Sequence, residues 1–540
     1  MVSLIPAEPA PTRHARALGS LGRGTGWMLV GSALFLVFGL LGRLGIAKFV
    51  SVQVWGVFNL GLSLSGLVSL VALLGLHQAM ARTLSFESDP GVRRALVRRT
   101  LLITCADALA VSGATFLFAP ELAALFGSGS VGLLTETLQL FSVLVGVTIL
   151  TSFLAALFQG FEDAFPNSLF NQILAPGLFV VFLAGVVLLH LDYVAVLIAY
   201  VLSSGLALGG LSLYAWRRIP RYLPPASSAG RVAFPQGFWS LATGLWGVNA
   251  LAYVTTFADT LILGIFWPAS VVGLYSAATT LARLFLLVNG ALAFIYLPVS
   301  ARLTREGDRR GLQVTFASSA RWTVALTLPL LLVFLFLPGP TLNELFGRAY
   351  GGAATPLLLL SSSAFLSVAL GPVNSCLAGL GRSRSLLYNA ISSGGCNLLL
   401  SFALIPRYAA LGAAVAWATS RLLYLSLGAF TLYSKHGILS FGRILLYPTL
   451  LTLGVGGSAL AGLSLLHPVG WWIFPAALLV FGVFLGSVLL TRTLTLGDLT
   501  LLELLEKARG REFKGLRPRL ERFLWKGATP PDPGSPPTPL

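Results

Sequence analysis

At 540 residues, 56% hydrophobic and only 10% charged, the chain falls far below the roughly 25% charged residues of soluble domains, and this excludes a soluble enzyme. Apolar runs long enough to cross a ~30 Å hydrocarbon core recur along nearly its whole length. The net charge of +17 could mark a nucleic-acid binder, but its placement along the chain argues for membrane topology instead.

Met1–Arg23 is polar, basic and Pro/Ala-rich, and reads as a tail; the apolar run after it is too long for a signal-peptide core and lacks a cleavage site. Fourteen spans are predicted, the first six at 24–48, 56–80, 99–118, 133–160, 168–190 and 193–216. Residues 217–235, basic and rich in Pro, Gly and Ser, form an expected exposed linker. Six more spans follow at 237–265, 271–298, 318–337, 355–381, 385–405 and 409–433, then two unmatched ones at 442–466 and 470–491. Residues 492–526 read as a basic amphipathic segment lying on the membrane surface, and 527–540 as a Pro-rich disordered tail. Cys105, Cys376 and Cys396 all fall within spans, as small packing residues rather than a disulfide or metal set.

With this assignment, 29 of the 36 Lys and Arg residues fall in loops on one side, and only Lys48, Arg348 and Arg407 on the other. The positive-inside rule then makes both termini cytoplasmic and the protein a multi-pass one of the cytoplasmic membrane, with no nucleic-acid partner.

The chain repeats itself. Phe49 to Phe58 aligns with Phe266 to Tyr275, pairing Gly56 with Gly273 at an offset of 217. Ala81-Arg82 matches Ala301-Arg302 at 220, Gln159-Gly160 matches Ala378-Gly379 at 219, and the segment at Tyr193 matches that at Tyr408 at 215. This predicts two six-span halves, 24–216 and 236–433, followed by an appended pair within 434–491. Repeats of this kind frame the substrate site of many transporters.

Three of these elements, Arg43-Leu-Gly to Phe58, Asp259-Thr-Leu-Ile-Leu-Gly264 to Tyr275, and Leu404-Ile-Pro-Arg-Tyr408 to Val415, carry a resemblance, as does Gly497-Asp498-Leu-Thr-Leu-Leu. Over about residues 24–505 the chain resembles the multidrug/oligosaccharidyl-lipid/polysaccharide (MOP) flippase superfamily, in its polysaccharide-repeat-unit (Wzx-type) branch. The resemblance implies an all-α polytopic membrane protein: two pseudo-symmetric six-helix lobes in a V around a central cavity, plus two extra C-terminal helices. The implied activity is transfer of a polyprenyl-diphosphate-linked oligosaccharide between leaflets. The implied partners are that lipid-linked glycan, membrane lipids, and a glycan polymerase or assembly machinery, with no cofactor.

Four basic residues remain inside spans: Arg43, Arg283, Arg321 and Arg421. A charge near the bilayer centre costs at least about 2.5–3.5 kcal/mol, so each one needs a reason. Arg283, near mid-depth, either grips a diphosphate through its fixed donor fork or pairs with Asp259, Asn249 or a backbone carbonyl. Arg421 is a weaker substrate candidate, and Arg321 is expected to snorkel to the inner surface. Arg43 and Asp259 fall at nearly equivalent repeat positions, and either meet as a gating pair or snorkel separately. Asp107 is a coupling-ion carrier or an arginine's partner. His77 is expected to be a hydrogen-bonded core or interfacial residue. Asn249, Asn289, Asn374 and Asn389 either line the path or bond between helices.

The rival readings are a cation-coupled drug antiporter of the same superfamily and a membrane glycosyltransferase, polymerase or ligase. The first is disfavoured by fourteen spans and by the lack of an acid in Gly24–Val50. The second is disfavoured because the longest outer loop, near 338–355, holds only Glu344 and Arg348, and no phosphate loop, metal cluster or triad is evident. Scrambling or a scaffold role in wall synthesis also stays open.

Overall fold

The structure, a computed structural model, describes residues 10–126, 130–223, 234–438, 443–465 and 472–490. The expected surface segment 492–526 and the tail 527–540 lie outside these residues, as do 1–9 and the middle of the linker, 224–233.

The described chain is helical throughout. In order come α1 (Ala10–Phe49), α2 (Val52–Leu73), α3 (Leu76–Phe86), α4 (Pro90–Leu117), α5 (Ala119–Ala124), α6 (Val131–Gly160), a π-helical turn (Asn167–Leu174), α7 (Ala175–Leu188) and α8 (Tyr193–Tyr222). After these come α9 (Phe238–Phe266), α10 (Ala269–Glu306), α11 (Arg309–Phe336), α12 (Pro338–Leu345), a 3-10 turn (Arg348–Ala353) and α13 (Ala354–Ala369). The last are α14 (Val373–Gly379), α15 (Ser383–His436), α16 (Arg443–Leu465) and α17 (Ile473–Leu490). Eleven stretches among the described residues are long and apolar enough to cross a membrane. Two expected spans, 385–405 and 409–433, both fall within α15, and the two C-terminal spans appear as shorter apolar helices.

Local chemistry sets the helix ends. Asp89 and Asp308, 219 positions apart, each cap a helix: the first accepts from the Gly91 N–H at 2.7 Å, the second from the Gly311 N–H at 2.8 Å. Within α15, Ala409 takes a non-helical conformation (φ 51°, ψ −131°) three residues after Pro406. At this break the Trp267 indole N–H donates to the Ile405 carbonyl at 2.8 Å. Two expected spans are broken where hydropathy is uniform. The second, 56–80, is split at Leu74-Gly75, both at positive φ, and the tenth, 355–381, at Gly371-Pro372.

The residues pack as two compact units. Unit one comprises the chain to Leu287 with Pro338–Ala364 and Leu387–Tyr424; unit two comprises Val288–Leu337, Phe365–Leu386 and the chain from Leu425. Their boundary falls inside α10, α13 and α15 rather than at 217–235. In unit one, α6 is the central rod, packed on α2, α3, α4, α5 and α8. In unit two, α11, α16 and α17 pack on one another.

The internal repeat is visible in the contacts. A Cβ at Gly56 would collide with the Ala269 carbonyl, and a Cβ at Gly273 with the Val52 carbonyl. Val52 and Ala269 are themselves 217 apart, so α2 and α10 cross through a reciprocal pair of backbone contacts that only glycine permits. Likewise Gly160 packs on Ala81, and Gly379 on Ser300 and Ala301.

Candidate functional site

Within unit one, six segments line a cavity of about 420 Å³. Each turns a helical face inward at i, i+3, i+4 spacing: Trp55, Phe58, Asn59 and Leu62 from α2, Thr148, Thr151 and Ser152 from α6, and Tyr200, Ser203, Ser204 and Ala207 from α8. The π-helical turn and α7 add Asn171 and Phe179, and α1 adds Phe35, Phe38 and Arg43. One wall is fixed by ring contacts. Phe58 stacks on Trp55 at 5.7 Å and meets Tyr200 edge-on at 5.5 Å, while Tyr200 meets Phe179 at 4.9 Å. The rest of the lining includes hydroxyl and amide side chains, among them Thr148, Thr151 and Asn171. Arg43 is the sole charged side chain of the lining among the described residues.

Of the residues singled out from sequence, Arg43 lines the cavity, and Arg283 and Asp259 lie nearby on α10 and α9. The Arg43 guanidinium donates to the Thr280 hydroxyl on α10 at 3.3 Å. Arg283, also on α10, donates to the Thr256 carbonyl at 3.0 Å, and its guanidinium carbon stands 5.2 Å from the centre of the Phe257 ring. Each arginine lies within the other's electrostatic reach. Asp259 on α9 is 3% exposed. It accepts from the Tyr275 hydroxyl and from the Thr260 N–H at 2.8 Å. The envisaged Arg43–Asp259 ion pair is therefore absent, since both groups are engaged elsewhere. Arg283 feels Asp259 electrostatically, but its hydrogen bond goes to a carbonyl.

The remaining candidates are scattered. The Asn249 amide donates to the Gln78 side-chain oxygen at 2.8 Å, tying α9 to α3. Asn289 lies in unit two, its amide oxygen buried without a hydrogen bond. Arg421 is half-buried on α15 beside Tyr424. Asp107 is half-buried on α4 and makes no ion pair among the described residues. Arg321 does not snorkel: it is 2% exposed within unit two, enclosed by the packing of α11. The His77 ring nitrogen Nδ1 is buried without a hydrogen bond.

The cavity's Thr, Ser and Asn residues were not singled out from sequence, although the i, i+3, i+4 recurrence on α6 and α8 is a signal that could have found them. Nor were Tyr275 and Thr280, which hold the two site charges; no spacing rule links a hydroxyl to a charge on another helix.

An all-α chain with eleven membrane-length stretches among the described residues, a two-fold repeat and an arginine in the lining of an internal cavity is a multi-pass membrane protein. A sequence model of the polysaccharide biosynthesis protein family matches residues 21–304, just over half the chain. The chain belongs to that family. It is 23% identical over 220 residues to the "Probable low-salt glycan biosynthesis flippase Agl15" of Haloferax volcanii, a match spanning 41% of this chain and 44% of that relative. Its fold is similar to that of the lipid II flippase MurJ in an inward closed conformation (TM-score 0.66, 15% identity, 86% of this chain and 98% of that one). It is also similar to an inward-facing multidrug resistance MATE family transporter of the MOP superfamily (0.58, 13%, 77% and 98%). A third such structure is a MOP superfamily transporter from Pyrococcus furiosus (0.55, 14%, 77% and 95%).

Proposed function

We propose that this protein flips a polyprenyl-diphosphate-linked oligosaccharide, a polysaccharide or cell-wall precursor, across the cytoplasmic membrane by alternating access, with both termini cytoplasmic. The family and the glycan-flippase relative support the class of cargo. The observation that carries the reading is the charge balance of unit one: two neighbouring arginines bonded to a hydroxyl and a carbonyl, while the one buried carboxylate nearby is taken up by Tyr275 and Thr260. Such a site keeps unspent positive charge in an apolar setting, where a diphosphate would satisfy it. A cationic drug would meet repulsion there. The Thr, Ser and Asn surface of the cavity offers partners for sugar hydroxyls, and the movement is transport without bond making. The two repeat halves, 24–216 and 236–433, would be the moving bodies, and a glycan polymerase the downstream partner.

The test is flipping of a fluorescent polyprenyl-diphosphate glycan in proteoliposomes. The wild type is expected to flip it. Arg283→Ala and Arg283→Lys should both fall about 10-fold or more, because a charged hydrogen bond contributes about 1.5–3 kcal/mol and an ammonium neither stacks nor forks as a guanidinium does. Efflux of cationic dyes with no lipid flipping would overturn the proposal and put Asp259 and Asp107 in the leading role.

A further inference from the structure

At one end of unit two, three segments share an apolar seam: Leu312 from the first turn of α11, Leu377 and Leu380 around the turn into α15, and Leu432 and Ile438 at the end of α15. The same segments carry Arg309, Arg382, Lys435 and His436, and among the described residues Arg309, Arg382 and Lys435 are the charged groups that act on His436. Its Nε2 is buried without a hydrogen bond. The two acids that precede Arg309 are already committed: Asp308 caps α11 through the Gly311 N–H, and Glu306 pairs with Arg302 at 3.8 Å.

The first half of the chain shows how such an end is balanced from within. Asp163 lies 219 positions before Arg382, the same spacing that separates Gly160 from Gly379 and Tyr214 from Tyr433. Its carboxylate accepts from the Tyr222 hydroxyl at 3.0 Å, the Tyr214 hydroxyl at 3.3 Å and the Phe165 N–H at 3.2 Å. Arg218 stands 5.6 Å from the centre of the Tyr214 ring, so one anion there sits among the basic groups. In the second half an arginine replaces that anion. Like charges are thereby gathered on a hydrophobic seam, with no carboxylate paired to them among the described residues.

We propose that this end of unit two binds the phosphate of an anionic lipid headgroup, with Arg382 as its central fork and Arg309 and Lys435 beside it. Arginine suits a phosphate because its planar donors meet two oxygens at once. A lipid is favoured over a soluble phosphate because α15, which ends here, exposes Tyr433 one turn back and Phe430 two turns back, an apolar and aromatic surface for acyl chains.

The full-length chain in neutral detergent, titrated with fluorescent phosphatidylglycerol and phosphatidylcholine, tests this. Arg382→Asp, which restores the charge of the first half, is expected to weaken phosphatidylglycerol binding about 10-fold or more and leave phosphatidylcholine unchanged. Arg382→Gln should weaken it in the same direction by less. If Arg382→Asp melts early by circular dichroism, the Arg309→Gln/Lys435→Gln double variant carries the test, with the same loss expected. Equal phosphatidylglycerol affinity in the folded variants would overturn the site. Sodium pyrophosphate binding as tightly as the lipid would overturn the lipid as its source.

Discussion

Asp259 illustrates how a buried charge is kept in an apolar bundle. Its carboxylate is enclosed, and its one side-chain hydroxyl donor from another helix is Tyr275, sixteen residues on. Tyr275→Phe removes that donor and leaves an acceptor short of a partner, which costs about 1–3 kcal/mol. The variant should unfold at a lower temperature in detergent, whereas Tyr424→Phe, at a half-buried site, should change the midpoint little. An unchanged midpoint for Tyr275→Phe would mean that the Thr260 N–H alone satisfies the carboxylate. At this scale the sequence showed which residues were costly but not how they were held. Arg43, Arg283 and Asp259 stand out because a charge in an apolar run is conspicuous. Their partners are a threonine hydroxyl, a backbone carbonyl, a ring face and a tyrosine, all ordinary residues of membrane helices and invisible as partners until the helices are placed.

At the level of helices, the crossing of α2 and α10 depends on two glycines that each admit the other helix's carbonyl. Gly56→Ala or Gly273→Ala pushes the two backbones apart, and the proper measurement is the monodisperse yield by size exclusion after extraction. Each single change should lower it, and because both act on one contact, the double variant should lose less than the sum. Additive losses would show two independent contacts. The sequence carried this pair openly, since Gly56 and Gly273 anchored the repeat alignment. It did not carry the breaks at Leu74-Gly75 and Gly371-Pro372. Those stretches are as apolar as their surroundings, so a hydropathy reading runs straight through them, and what requires Gly75 is the Ala242 carbonyl of α9, a contact made across 167 residues.

For the molecule as a whole, the proposed activity makes charge on the cargo the deciding quantity. Across a series with the same glycan, the diphosphate lipid should flip fastest, the monophosphate more slowly, and the uncharged polyprenyl ether at the rate of empty vesicles. Equal rates for all three would place recognition in the sugar and leave Arg43 and Arg283 as structural residues. The class of fold was legible from composition and repeat, because span length and basic-loop placement are physical requirements of the bilayer. The location of the cavity was not. It arises from faces of α1, α2, α6, α7, α8 and the π-helical turn that become a cavity only when turned toward one another.

The two halves of the repeat share their contacts but not their stiffness. The first half divides its second helix at Gly75 and keeps its fourth, α6, as a single thirty-residue rod; the second half keeps α10 whole over thirty-eight residues and divides the helix equivalent to α6 at Gly371. A bending load shared alike by both halves is therefore absorbed at different levers in each, and a symmetric architecture yields asymmetric compliance.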